Sequence, residues 1–212
     1  VEGSFSNPNL SMCIHTLNWL CDCSAHIKET LPQRPLNLLE LYCGSGNHTV
    51  ALAGTFFDSV LGVEIDKKLV EHAQHNLREN KCATGAKVIK ANSQRFCRSI
   101  LRRRQYSMDK KVVKYHQQRS SDVKNEDRDR DQTFSAVLVD PPRAGLDKFT
   151  RRNIAGYPAI MYVSCNPQAL MRDMGELVQS HVAVRFAFLD HFPYTRHVEC
   201  AVYMLSREIL AS

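Results

Sequence analysis

Apolar residues fall into two kinds of pattern along this chain. Short, nearly continuous apolar runs are typical of strands buried on both faces of a sheet. They lie at 36–41, 59–64, 87–90, 134–139, 159–163, 182–189 and 198–205. Between them, helical spacing predicts a first helix to about Lys28, with Asn7 as its N-cap and Pro8 at the first helical position. Further helices are predicted after the turn at 42–47, at 67–80, after 87–90, around Thr150 and at 168–180. The helix after 87–90 is expected to run into a charged insertion.

Strands and helices alternate in this order until the last two strands, which follow each other directly. Parallel strands need a crossover connection, whereas strands joined by a loop alone pair antiparallel. The pattern therefore predicts an α/β fold with a seven-stranded, mostly parallel sheet, helices on both faces and an antiparallel last strand. Residues 1–35 are expected to form a helical lead-in, and 36–212 the domain that contains the sheet.

The composition fits one globular domain that carries an insertion. The 212 residues are 43% hydrophobic, and no apolar run approaches the roughly 20 residues that cross a bilayer. The net charge is +6, and +5 of it comes from Arg98 to Asp131, where eleven Lys and Arg residues stand against six Asp and Glu. Because large apolar residues are scarce there, about 106–131 is expected to be a flexible insertion, either a passive loop or an arm that binds a polyanion.

Eight cysteines are scattered through the chain, without a C-x-x-C pair or a zinc-type Cys/His spacing. Scattered thiols indicate an intracellular, reducing compartment, with cytosol, nucleus and mitochondrion all open, and no metal site is expected. The chain begins at Val1 without an initiator Met or a signal sequence. We therefore expect it to be part of a longer protein.

A turn with two glycines follows the first predicted strand. Gly44 and Gly46 allow positive φ angles and a close approach of a ligand to the backbone. Position 49 is Thr, so the third glycine of a dinucleotide fingerprint is missing, and the turn has no Lys or Arg to meet a pyrophosphate. Glu64 ends the second strand, where a carboxylate either binds ribose hydroxyls or caps the next helix. These features favour S-adenosylmethionine over NAD.

Cys165 directly follows an apolar strand, in a Ser-Cys-Asn-Pro turn. Open α/β sheets place their chemistry at this end of their strands. Asp140 and Arg143 follow the preceding strand, and Glu199 lies in the last one, so two carboxylates and a guanidinium accompany one thiol. A lone Cys is otherwise a small buried hydrophobic residue, but these neighbours indicate an enzyme.

Five short motifs occur in one order along the chain. They are Phe5-x-x-Pro8-Asn9, Glu40-Leu41-Tyr42-Cys43-Gly44-x-Gly46-Asn47, Asp140-Pro141-Pro142-Arg143-x-Gly145-Leu146-Asp147, Ser164-Cys165-Asn166-Pro167 and Phe192-Pro193-Tyr194-Thr195-x-His197-x-Glu199. Together they resemble the RNA uracil-5 methyltransferases, and among these the tRNA (uracil-5-)-methyltransferases. The resemblance implies a Rossmann-like class I methyltransferase fold, S-adenosylmethionine as methyl donor, and a tRNA substrate with the T-loop uridine as its target.

The resemblance also implies roles for individual residues. Cys165 forms a covalent adduct with uracil C6, Glu199 removes the C5 proton, and Arg143 either favours the thiolate or stabilises the enolate oxygen. The residues implied for cofactor binding are Asn7, Tyr42, Gly44, Asn47, Glu64 and Asp140. Asn7 stands where the family's tRNA enzymes usually have Gln, so its amide reaches one methylene less far, and it could instead serve only as the helix cap.

Several alternatives stay open from the sequence. His197 lies two residues before Glu199, where it orients that carboxylate, relays its proton or makes an ordinary hydrogen bond. The rival functions are a ribosomal-RNA uracil-5 methyltransferase and a catalytically silent RNA-binding module. The protein is expected to be a monomer that acts away from membranes, with most RNA contacts made by a region that precedes this chain.

Overall fold

Seven strands form one sheet in the computed structural model, which describes residues 9–32, 34–108 and 133–211, with the backbone alone at 103–108. The strands are β1 (Asn37–Leu41), β2 (Ser59–Glu64), β3 (Ala86–Lys90), β4 (Ala136–Val139), β5 (Ala159–Ser164), β6 (His181–Leu189) and β7 (Glu199–Ser206). Their spatial order is β3-β2-β1-β4-β5-β7-β6. β7 is antiparallel to β5 and β6, and the other neighbouring pairs are parallel.

This sheet confirms the fold class predicted from the sequence, and the predicted elements differ from the observed ones mainly at their end residues. The helices are α1 (Leu10–Thr30), α2 (Asn47–Leu52), α3 (Lys67–Glu79), α4 (Ser93–Met108), α5 (Lys148–Ile154), α6 (Pro167–Leu177) and α7 (Arg207–Leu210). None of these described helices is both long and apolar enough to span a bilayer. The strand order reverses between β1 and β4, which is where open α/β sheets bind their ligands.

The central strands divide their side chains between two apolar cores, one on each face of the sheet. Every residue of β1, β4 and β5 is buried, as expected of parallel strands covered on both sides. Leu38 and Leu138 belong to the core that includes residues of α1, α2 and α3. Leu39 and Val137 belong to the core that includes residues of α4, α5 and α6. The fold therefore holds the carboxyl ends of these strands in a rigid frame.

Asn and Asp side chains define the starts of four helices. Oxygens of Asn9, Asp66, Asp147 and Asn166 accept hydrogen bonds from the first backbone N–H groups of α1, α3, α5 and α6. The first of these caps corrects the expectation for Asn7. α1 begins at Leu10 with Asn9 as its N-cap, because the side chain of Asn9 accepts from the N–H of Met12 at 3.1 Å.

α4 is the helix that was predicted to run from the third strand into the charged insertion. It ends at Met108, and the rest of the expected insertion, 109–131, lies outside the described residues. Residues 109–131 contain seven Lys and Arg against six Asp and Glu, which leaves a net charge of only +1. The positive excess of this region therefore belongs to α4, on arginines 98, 102, 103 and 104.

Candidate active site

Strand directions bring the predicted catalytic side chains to one edge of the sheet. β4 and β5 are parallel neighbours, so Asp140 and Cys165, which follow them, lie at the same edge. β7 is antiparallel to β5, so its first residue, Glu199, lies at that edge as well. The register pairs Ser164 with Cys200, and this sets Cys165 and Glu199, one position further out, opposite each other.

A pocket at this edge contains a thiol, a guanidinium and a carboxylate. It is lined by Arg143, Cys165, Phe192, His197, Val198 and Glu199. Asp140 lies close enough to raise the pKa of both Cys165 and Glu199. The structure thus brings together the three residues to which the resemblance assigns catalysis, and it adds an aromatic wall beside them.

Cys165 is held mainly as a thiol in this pocket. Burial raises the pKa of its thiol, and the carboxylates of Asp140 and Glu199 raise it further. Arg143 and a backbone hydrogen bond act in the opposite direction without outweighing the first three effects. Arg143 therefore favours the reactive thiolate, as the sequence suggested, although the pKa of Cys165 is raised overall.

Glu199 has the electrostatic character of a general base. Burial, and then the charge of Asp140, raise its pKa to about 7, while His48 acts in the opposite direction. Its side chain is 17% exposed. A carboxylate that titrates near neutral pH accepts a proton more readily than an ordinary Glu and is still substantially ionised, which is the compromise that general-base catalysis favours.

The residue that contacts Glu199 is His191, which sequence reasoning did not identify. Nε2 of His191 lies 3.2 Å from Oε2 of Glu199 and 3.0 Å from Oγ1 of Thr16. Burial lowers the pKa of His191, so its ring is neutral at pH 7. His197, the partner considered from the sequence, lines the pocket and sets its ring edge-on against Phe192.

The buried carboxylate of Asp173 fixes the loop that carries Arg143 through several hydrogen bonds. Oδ2 of Asp173 accepts hydrogen bonds from the backbone N–H of Leu146 and from the hydroxyl of Tyr162, both at 2.8 Å. Its Oδ1 accepts from two guanidinium groups, those of Arg151 and Arg172. The loop is therefore fixed to β5 and α6 through one fully buried side chain.

The loops that carry Arg143 and Cys165 are also joined directly. Nδ2 of Asn166, the residue after the thiol, donates to the backbone oxygen of Arg143 at 2.9 Å. Gly145 has a φ of +74°, and a Cβ there would lie 2.7 Å from Oδ2 of Asp173. Only glycine fits this position, so the Arg-x-Gly spacing of the motif has a steric cause.

The glycine turn after β1 has the open surface that a ligand needs. Gly44 and Gly46 have φ angles of +55° and +78°, in the left-handed region. A Cβ on Gly44 would meet no atom within 4 Å, whereas one on Gly46 would press against Ala73 at 3.1 Å. The backbone N–H of Gly44 donates to Oε2 of Glu64 at 3.0 Å, which joins this turn to the end of β2.

Glu64 organises the cofactor turn and retains one free acceptor position. Its Oε1 accepts from the backbone N–H groups of Ile65 and Asp66, at 2.7 and 2.8 Å. The N-cap of α3 is Asp66, which rules out the alternative that Glu64 caps this helix. A carboxylate offers about four acceptor positions, so one on Oε2 remains after the bond from Gly44.

The other residues implied for cofactor binding surround the crevice between β1 and β4. Tyr42 is half-buried, and its hydroxyl is hydrogen-bonded to Thr150 on α5. Asn47 is exposed at the start of α2. Burial raises the pKa of Asp140 to about 6, and His48 acts in the opposite direction. Asn7 lies outside the described residues, so its contact with the cofactor stays a prediction.

A buried Glu–His pair near this crevice was not predicted from the sequence. Glu40 is 2% exposed, accepts a short hydrogen bond from the hydroxyl of Thr49, and lies 3.6 Å from Nδ1 of His48. Burial alone would lower the pKa of His48, but Glu40, Asp140 and Glu199 together raise it. The carboxylates around His48 therefore favour its protonated form. In the described part of the chain, no group of His, Cys, Asp and Glu side chains is arranged to hold a metal ion.

Comparison with known proteins identifies the family. A family model described as tRNA (Uracil-5-)-methyltransferase matches residues 1–207. The chain belongs to the tRNA (uracil-5-)-methyltransferase family. This confirms the resemblance found in the five motifs.

Two curated relatives carry the same name, tRNA/tmRNA (uracil-C(5))-methyltransferase. The protein of Pseudoalteromonas translucida (strain TAC 125) is 37% identical over 204 residues, which are 96% of this chain and 49% of the relative. That of Haemophilus ducreyi (strain 35000HP / ATCC 700724) is 36% identical over 207 residues, which are 98% of this chain and 50% of the relative. This member of the tRNA (uracil-5-)-methyltransferase family thus spans about half the length of these relatives.

Solved structures share the fold. The Pyrococcus abyssi tRNA (uracil-54, C5)-methyltransferase, in complex with S-adenosyl-L-homocysteine, has a TM-score of 0.66 at 24% identity and covers 96% of this chain and 40% of its own. An rRNA methylase from Streptococcus thermophilus has a TM-score of 0.58 at 9% identity and covers 88% of this chain and 95% of its own. At these identities the similarity shows a common Rossmann-like methyltransferase fold.

Proposed function

We propose that this protein transfers a methyl group from S-adenosylmethionine to C5 of a uridine in tRNA, through a covalent adduct between Cys165 and uracil C6. The observation that carries the proposal is the pocket in which Cys165 and Glu199 face each other beside Arg143. Membership of the family and the names of the curated relatives support the same reaction. The T-loop uridine is the proposed target.

The chemistry requires a nucleophile and a base because uracil C5 is itself a poor nucleophile. The thiol of Cys165 first loses its proton to solvent, and its sulfur then bonds to C6. The π pair of C5–C6 forms a C4–C5 double bond, and the carbonyl π pair moves to O4 as an enolate. Arg143 favours the attacking thiolate and stabilises the developing oxyanion. The enolate carbon C5 would take its methyl group from bound S-adenosylmethionine, whose methyl–sulfur bond would break with its electron pair left on sulfur. Glu199 then removes the C5 proton, and the C–H electron pair restores the double bond as sulfur leaves C6.

The residues of the turn after β1 fit S-adenosylmethionine. The open side of Gly44 allows a ligand to approach the backbone, and the remaining acceptor position on Glu64 suits a ribose hydroxyl. Asp140 lies across the crevice with a raised pKa, and a cationic group bound nearby would favour its ionised form. These three residues would hold the cofactor between β1 and β4.

Glu64→Ala and Asp140→Ala are each expected to weaken the binding of S-adenosylmethionine by about 1–3 kcal/mol, because each loses a charge-assisted hydrogen bond to the ligand. Isothermal titration calorimetry without RNA measures this effect. Glu71→Ala is the matched control, since its carboxylate is exposed on α3 and pairs there with Lys67. Unchanged affinity in both site variants, or tight NAD binding with none for S-adenosylmethionine, contradicts the cofactor assignment.

The tRNA backbone has a suitable docking surface on α4 and α5. The α4 basic face, as we name it, consists of the exposed residues Arg95, Arg98, Arg102, Lys148 and Arg152. The sequence of α4 contains no Asp or Glu. The guanidinium of Arg98 lies 4.6 Å from the centroid of the Phe149 ring, which ties α4 to the start of α5. α5 begins shortly after Arg143, so a short loop joins this positive surface to a residue that lines the catalytic pocket.

Replacing Arg95, Arg98 and Arg102 together by Gln is expected to raise the KM for tRNA roughly tenfold or more at moderate salt. The slope of log KM against log salt should fall by about 2–3, because fewer counterions are released on binding. Steady-state methylation at several salt concentrations measures both quantities. A triple Gln variant at three exposed basic residues of α3, Lys67, Lys68 and Arg78, is the matched control.

The same measurement on a variant that lacks 109–131 tests whether the charged insertion is an RNA-binding arm or a passive loop. The deletion removes a net charge of only +1, so the salt slope should stay near that of the wild type if α4 provides the phosphate contacts. A large fall in the slope on deletion, together with an unchanged α4 triple variant, would assign phosphate binding to the deleted segment instead.

Transfer of a labelled methyl group to RNA tests the proposed function directly. The protein is incubated with S-adenosylmethionine and a transcribed tRNA or a ribosomal-RNA transcript, and the modified uridine is mapped. We expect 5-methyluridine at one T-loop position of the tRNA. Transfer to ribosomal RNA alone would favour the rRNA methyltransferase, and RNA binding without transfer to either RNA would favour the silent binding module.

A further inference from the structure

We infer that His191 is a positioning residue for the base: its Nε2–H donates to one oxygen of Glu199 and leaves the other oxygen to take the C5 proton. The inference rests on the proposed function. It adds a residue that lies just before the last of the five sequence motifs and outside all of them.

The hydrogen bonds of Thr16 determine which ring nitrogen of His191 carries the hydrogen. The hydroxyl of Thr16 donates its one hydrogen to the backbone oxygen of Met12, at 2.8 Å. The same Oγ1 lies 3.0 Å from Nε2 of His191, so it must accept there, and Nε2 is the protonated nitrogen. Oε2 of Glu199 lies 3.2 Å from that nitrogen. The N–H is therefore shared between the threonine oxygen and the carboxylate.

The imidazole is held firmly enough to set the direction of the base. His191 is only 3% exposed. Its backbone N–H donates to the oxygen of Leu189 at 3.0 Å, and Nδ2 of Asn9 donates to its backbone oxygen at 3.4 Å. Asn9 is the N-cap of α1, and Thr16 lies two turns further along the same helix. Glu199 is thus anchored to α1 as well as to its own strand.

A neutral donor suits this role better than a cation would. Burial keeps the ring of His191 uncharged at pH 7, so its N–H orients the carboxylate without forming an ion pair that would greatly reduce its basicity. Burial and the charge of Asp140 raise the pKa of Glu199 to about 7. Among the described residues, the other titratable groups near Glu199 are Asp140, Cys165, His48 on α2, Cys13 on α1 and Cys200 on β7, with Arg143 and His197 in the wall of the pocket.

Single-turnover kinetics with unmodified tRNA and S-adenosylmethionine separate the step that needs Glu199 from the steps before it. Adduct formation precedes proton removal, and decay of the adduct follows it. His191→Phe removes the donor, and we expect an adduct that forms at a near wild-type rate but decays roughly 10- to 100-fold more slowly, because the base is misplaced. His191→Gln keeps an amide N–H and should restore decay to within a few-fold of the wild type.

The pH dependence of adduct decay distinguishes positioning from a packing role. The rate of adduct decay falls at low pH, where Glu199 is protonated, and this fall is the acid limb of the pH–rate profile. Loss of the N–H donor raises the pKa of Glu199, so in His191→Phe the acid limb should move to higher pH by roughly half to one unit. A variant that only disturbs packing should lower stability without moving the limb. His181→Phe is the matched control, since His181 is also buried, with Nε2 2.9 Å from the backbone oxygen of Tyr157 at the far end of β6.

Each outcome decides for or against the inference. Unchanged decay with an unshifted limb in His191→Phe overturns it, and so does a His191→Gln variant as slow as the Phe variant. If His191→Phe does not fold, His191→Met removes the donor with a flexible side chain and should slow decay in the same way, whereas unchanged decay in that variant would overturn the inference. A wild-type protein that forms no adduct and transfers no methyl group contradicts the proposed function instead.

Discussion

Cys165→Ala is expected to lower the rate of tRNA methylation by roughly 10⁴-fold or more, because the variant lacks the atom that bonds to uracil C6. The same change should abolish the covalent protein–RNA complex that a fluorinated RNA substrate traps. With RNA that contains 5-fluorouridine, the wild-type protein transfers the methyl group but cannot remove fluorine from C5 as a proton. The sulfur then stays bonded to C6, and a denaturing gel shows a covalent protein–RNA band.

The control for this experiment is another half-buried thiol that lies away from the pocket. Cys21→Ala on α1 should keep both the band and the methylation rate. Since burial and two carboxylates raise the pKa of Cys165, the wild-type band should also form faster as the pH rises above neutral. A band of undiminished strength in Cys165→Ala would identify another nucleophile and disprove the assignment.

The fold was predictable because its signals are local and repeated. The fully buried strands β1, β4 and β5 read as continuous apolar runs, and helix-forming periodicity lies between them. Helix ends were less predictable, because Asn7 and Asn9 are both good N-cap residues on either side of Pro8. The helix that runs into the charged insertion was predicted, but its last residue was not, because composition alone does not show where a helix stops. α4 carries most of the positive excess that was counted with the insertion.

Those residues of the site that directly follow a predicted strand could be located from the sequence. Cys165 and Asp140 could be placed there from the apolar runs before them, and the motif placed Glu199. The partner of Glu199 was not predictable in this way, because His191 acts across the sheet edge through a contact with Thr16, 175 positions away in the sequence. The sequence feature that could have indicated His191 is its position directly before the Phe-Pro motif, where the chain turns back toward β7.

Glu199→Gln is expected to reduce turnover by roughly 10²- to 10⁴-fold while leaving the first steps of the reaction intact. The amide cannot take the C5 proton, so the sequence stops after methyl transfer. The variant should therefore accumulate a covalent adduct with ordinary tRNA, which the wild type releases too fast to collect. Radiolabel from S-adenosylmethionine should reach about one methyl group per protein molecule and then stop, as measured on denaturing gels and by filter counting.

The hydrogen bond between His191 and residue 199 allows this substitution to test basicity alone. The side-chain oxygen of Gln can still accept the hydrogen bond from Nε2 of His191, so the side chain keeps its place and loses only its basicity. Glu208→Gln, an exposed carboxylate on α7, is the matched control and should behave as the wild type. If Glu199→Gln turned over at the wild-type rate, the base would have to be another group near Cys165, and Asp140, with a pKa raised to about 6, would be the next to examine.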